Sequence, residues 1–148
     1  MKQNLIFVVA AVFVMIASVL LDNNFMLLMV VPILTFVSGY LLTSEKTLQE
    51  KPEVNSKAYF LNFSYKTGGS MRSQETWEFA NTYCGKLWKR WSIFMLFFSE
   101  IIMFFFQQYT WTLGVLFAVQ IIMFLSAIYV TENAIDKTFD RQGNRREQ

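Results

Sequence analysis

Four apolar runs divide this chain, at about residues 5–21, 25–42, 88–107 and 109–130. None of its 13 Lys and Arg residues falls in the short turns, Asp22-Asn23-Asn24 and Gln107-Gln108, that join the runs in pairs. Lys2 precedes the first run, eight bases lie from Lys46 to Arg90, and Lys137, Arg141, Arg145 and Arg146 follow the last. A helix needs about 20 apolar residues to cross the hydrocarbon layer, with roughly 17 tolerated. Lipid holds no water to satisfy backbone groups, so such runs are expected to be helices. Basic residues stay on the cytoplasmic side. The pattern therefore predicts an all-α integral membrane protein, a single membrane domain over residues 1–148 with four transmembrane helices in two hairpins. Both termini, the segment 43–87 and the tail 131–148 are expected to be cytoplasmic.

Composition agrees. With 54% hydrophobic and 18% aromatic residues, a soluble domain of this size lacks the interior to hide its apolar surface. The first run has the basic start of a signal peptide, but no small-x-small cleavage site ends it, and it leads straight into another run. A net charge of +2 follows from topology and gives no reason to expect nucleic acid. There is no His and one Cys, Cys84. That removes an internal disulfide, the usual zinc ligands and Ser-His or Cys-His nucleophiles. No enzyme activity, metal or cofactor is expected.

The central segment opens with a polar, mixed-charge stretch, 43–57, broken by Pro52, which reads as a linker with one helical turn. Residues 58–63 are more aromatic and read as a short strand or as a piece lying at headgroup level. Gly68-Gly69 marks a turn within 64–73. Ser73 is a good N-cap, and Glu75 and Glu78 sit where the helix dipole favours acids. Trp77, Ala80, Asn81, Cys84, Leu87, Trp88 and Trp91 then recur at helical spacing, opposite Glu75, Glu78, Thr82, Lys86 and Lys89. This helix is expected to run unbroken into the third span, with Gly85 its weakest point. Trp77, Tyr83, Trp88 and Trp91 fit the aromatic belt of a membrane interface. Anchoring is the plain reading. The sharper one makes the turn and helix a docking surface, with Lys66, Arg72 and the helix-start amides suited to a lipid phosphate.

Tyr65-Lys66-Thr67, then Ser73-x-Glu75-x-Trp77 and a helix reaching Gly85-Lys86 just before a span, resembles the signature of the SdpI family of bacterial membrane proteins. Lys66 stands where the family pattern has Arg, which keeps the charge but loses the bidentate fork. The resemblance implies residence in the bacterial cell membrane and immunity against a secreted, membrane-active peptide toxin, with relay to a cytoplasmic regulator as a further role. It points to Tyr65, Lys66, Thr67, Arg72, Glu75, Trp77, Asn81, Gly85 and Lys86 as ligand- or partner-binding residues.

Two polar residues fall inside the expected spans, Glu100 in the third and Gln120 in the fourth. An intramembrane carboxylate is a functional candidate by default. The structural alternative is that Glu100 bonds to Gln120 and pins the hairpin, a bond worth about 0.6–2 kcal/mol. Ser99, Thr35 and Ser38 are expected to bond back to their own helices, and Gly114 and Ala118 to permit close helix contact. The many Phe residues of the third span read as lipid-facing or packing groups. The fourth helix should continue through Ile128, Ile135 and Phe139, and residues 141–148 should fray. Three functions follow: toxin immunity; a small ion- or proton-coupled transporter or channel subunit using Glu100, which would require a homodimer; and a scaffold recruiting a cytoplasmic protein through Trp77, Lys66 and Arg72.

Overall fold

The computed structural model describes residues 24–49, 51–54, 56, 59, 63–106 and 111–146. The expected first span, the outer turn at 107–108 and most of 58–63 lie outside these residues. The described structure is helical, without a named strand. It comprises α1 (Asn24–Leu42), α2 (Glu45–Gln49), α3 (Gln74–Phe106) and α4 (Trp111–Thr138). The chain divides into two compact units: 1–37 with 88–125, and 38–87 with 126–148.

α3 starts as its sequence requires. The Ser73 hydroxyl accepts the Thr76 N–H at 3.1 Å, and the Thr76 hydroxyl accepts the Ser73 N–H at 2.8 Å. This is a capping box with Thr in the place of the usual Glu. From Gln74 the helix continues without a break to Phe106, as its unpunctuated periodicity predicts. α4 is the one described helix long and apolar enough to cross a bilayer by itself, and only 17% of its most apolar stretch is buried. A helix at the core of a soluble fold would bury most of such a stretch.

In the first unit, Leu28, Val37, Met95 and Leu116 are buried, and Trp88 stacks on Phe124 with ring centroids 4.6 Å apart. Phe94, Phe97, Phe104, Phe105 and Phe106 are exposed, the placement a lipid-facing surface requires. Pro32 sits inside α1. It has no N–H to offer the Leu28 carbonyl one turn earlier. The Gln120 amide of α4 supplies the missing donor, bonding Leu28 O at 3.1 Å. In lipid a freed carbonyl must find such a partner. The same amide nitrogen donates to the Ser99 hydroxyl at 2.8 Å.

This corrects the expected Glu100–Gln120 pair and the expected self-bonding of Ser99. Glu100 is exposed, while Ser99, one residue earlier and so about 100° around the helix, faces inward. Thr35 does bond back, to Val31 O at 2.7 Å. Gly114 and Ala118 are exposed, and among the described residues nothing lies within 4 Å of a side chain built at Gly114. The expected close contact is not made there.

In the second unit, Leu42, Tyr65, Trp77, Ala80, Cys84, Ile135 and Phe139 are buried. Gly85 lies against the end of α1, where an added Cβ would come within 2.7 Å of Gly39 O and of Thr43. The weak point of the helix is thus the residue that admits a close backbone approach. Residues 141–146 of the tail do not fray. The Asp140 carboxylate accepts the N–H groups of Gln142 and Asn144 at 2.9 and 2.8 Å, Gly143 adopts φ 86°, and Phe139 bridges to Arg145. Local polar satisfaction closes this loop despite its charged composition.

Candidate functional site

The signature residues converge in the second unit. Tyr65 donates its phenol proton to Glu132 Oε1 at 2.8 Å, with Ile128 O at 3.2 Å, and the Thr67 hydroxyl donates to the same Glu132 oxygen at 2.6 Å. The Tyr65 N–H meets Asn81 Oδ1 at 2.8 Å, and the Asn81 amide donates to Trp77 O at 2.9 Å. Ser70 closes the turn by donating to Tyr65 O at 2.9 Å. Burial, reinforced by the Glu132 carboxylate beside it, pushes the Tyr65 phenol well above its ordinary pKa, so it stays a proton donor. Burial also pushes the Cys84 thiol up to about 11, which makes it a packing group and a poor nucleophile.

Trp77 is only 1% exposed, and its indole N–H donates to Thr47 O at 2.8 Å. That overturns the expected interfacial or docking role of this ring: its polar edge has a carbonyl partner inside the unit, so burial leaves nothing unsatisfied. The linker is docked as well. The Lys51 N–H bonds Gln74 Oε1 at 2.9 Å, and the Gln74 amide donates to Leu48 O at 2.9 Å.

Arg72 is engaged with Asp136 at 3.1 Å and with Asp140 O at 3.2 Å. Lys66 donates to Tyr59 O and lies 4.9 Å from the Tyr59 ring centroid, and burial lowers its pKa. Neither base presents the open anion site expected of the turn. Both bend inward to local carbonyls, a ring or a carboxylate.

Glu75 and Lys86 remain outside this network and are exposed. Glu75 pairs with Arg145 at 2.9 Å, and the Ser73 hydroxyl donates to Gly143 O at 2.9 Å. These contacts fasten the tail to the start of α3. Glu75, Glu78, Phe79, Thr82, Tyr83, Lys86 and Arg145 line an open cleft of about 290 Å³.

The sequence reading missed Glu132, Arg145 and Ser70. Only Glu132 carried a usable signal: it falls in helical register with Ile128, Ile135 and Phe139, an acid on an otherwise apolar stripe. Among the described residues no cluster of three or more metal-ligating side chains occurs.

Residues 62–130 match the family model of the SdpI/YfhL protein family. The match spans the turn, the capped helix and the two apolar stretches that follow, and it supports the assignment suggested by Glu75-x-Trp77 and Gly85-Lys86. No curated protein and no solved structure matches the chain.

Proposed function

We propose that this SdpI-like chain is a multi-pass membrane protein that protects its cell against a secreted, membrane-active peptide. The match over residues 62–130 carries the proposal. The apolar α4, whose most apolar stretch is only 17% buried, is consistent with it, as is the absence of bases from the turns between apolar runs. In this reading residues 5–21, 25–42, 88–107 and 109–130 cross the bilayer. Residues 43–87 and both termini face the cytoplasm, and no catalysis takes place. The polar network around Glu132 belongs to the cytoplasmic head.

Expression should raise survival of sensitive cells exposed to a panel of membrane-active peptides. Killing curves that do not move for any peptide would sink the proposal. Substituted-cysteine labelling in a Cys84→Ala background tests the topology, since positions 53 and 141 should be reached by an impermeant maleimide only after the cells are opened.

One observation favours an alternative. Glu100 is an acid within an apolar helix, the type of group that an ion- or proton-coupled subunit titrates. Glu100→Gln should then abolish flux in vesicles and leave folding intact. Protection retained in the same variant argues for immunity without ion coupling.

A further inference from the structure

The cleft on the outer face of α3 has a charge pattern that the proposed function does not use. Its lining holds two acids, Glu75 and Glu78, and two bases, Lys86 and Arg145. Glu75 and Arg145 neutralise each other at 2.9 Å. The open charges are therefore Glu78, which among the described residues accepts only the Gln74 amide at 2.9 Å, and Lys86, which has no ion-pair partner among them. They lie eight residues apart along α3, a little over two helical turns or about 12 Å in rise.

Between them lie Phe79 and Tyr83, stacked with centroids 5.6 Å apart, aromatic rings of the kind that attract an ammonium. A simple anion would meet Glu78, and a simple cation would meet Lys86. A zwitterion satisfies both ends. Lys86 also lies two positions before the expected third span, at the depth of lipid headgroups.

We propose that this cleft binds a phosphoethanolamine zwitterion, with its ammonium at Glu78 beside the Phe79–Tyr83 pair and its phosphate at Lys86. The proposal rests on the membrane reading above. The experiment reconstitutes the full chain into vesicles of equal parts phosphatidylethanolamine, phosphatidylcholine and phosphatidylglycerol, extracts it with its bound lipid, and quantifies each lipid by mass spectrometry.

Phosphatidylethanolamine should be enriched at least threefold over the other two for the wild type. It should fall to parity for Glu78→Gln and for Lys86→Gln, with the helical circular dichroism of both variants unchanged. Lys137→Gln, away from the cleft, should keep the enrichment. Millimolar free phosphoethanolamine distinguishes the two sources of this chemistry. Displacement means that the headgroup alone suffices, and retention of the lipid means that the membrane form is the ligand.

Parity in the wild type, or enrichment of phosphatidylglycerol instead, overturns the zwitterion. Enrichment untouched by either variant overturns the location. Failure of the wild type to enter vesicles at all overturns the membrane reading, a result separable from lipid parity in a chain that does enter.

Discussion

The bond from Gln120 to Leu28 O exists because Pro32 withholds a backbone donor, so the two residues should be energetically coupled. Gln120→Leu keeps volume but removes two donations, at 3.1 Å to Leu28 O and 2.8 Å to Ser99. Interhelical hydrogen bonds in membranes average about 0.6 kcal/mol with a maximum near 1.7, so the loss is expected to be about 1–2 kcal/mol. Part of it is recovered because the Gln120 Oε1 atom, buried without a partner among the described residues, leaves too. Pro32→Ala restores a local N–H to Leu28 O. In that background Gln120→Leu should cost only its Ser99 bond, giving a coupling of about 0.5–1 kcal/mol in a double-mutant cycle. The assay is reversible unfolding of the four proteins in mixed micelles, followed by tryptophan fluorescence. Additivity within about 0.3 kcal/mol would refute the account, because the proline and the amide would then be independent.

Gly85→Ala should destabilise the chain by about 1–3 kcal/mol, the usual range for overpacking, since its Cβ meets the Gly39 carbonyl at 2.7 Å. The unfolding midpoint checks this. Glu132→Ala removes the shared acceptor of Tyr65 and Thr67 and should cost about 2–3 kcal/mol, with Glu132→Gln losing less. Equal losses in the two variants would show that the carboxylate charge is irrelevant. The Asn144 N–H, with those of Gln142 and Gly143, holds the Asp140 carboxyl below its ordinary range. Its folded pKa is depressed, so the stability it lends is present above the unfolded value of about 3.9 and lost as pH falls through the lower, folded one. Tail amide protection in hydrogen exchange should therefore fall only below about pH 4, and Asp140→Asn should remove that dependence.

What the sequence made legible was local. Ser73 caps a helix because its hydroxyl reaches three residues on. The run from Trp77 to Trp91 is helical because its apolar spacing repeats, and α1 ends at Leu42 where the apolar run ends. The family resemblance, too, rests on contiguous residues. What stayed hidden depends on pairing across long separations. Nothing near Trp77 announces Thr47 O as its acceptor, and so a ring suited to an interface reads as one. Residues 99 and 100 differ by one step in sequence and by which way they face, a distinction that loose periodicity over a uniformly apolar helix does not resolve. The tail reads as frayed from its charge, because its partners Ser73 and Glu75 lie far back along the chain. Arg72 looks available for the same reason, since its partners Asp136 and Asp140 lie in the last turn of α4 and just beyond it.

These long separations bear on how the molecule is made. Tyr65 and Ser73 wait for partners 63 to 70 residues downstream. At the ribosome's pace of about 5–20 residues per second, that is a delay of roughly 3–14 s during which the turn and the helix start exist without the groups that complete them. Water must serve the Tyr65 hydroxyl and the Arg72 guanidinium in the interval. The unit built around Glu132 is therefore among the last parts of the molecule to mature, after the apolar stretches that precede its partners have already left the ribosome.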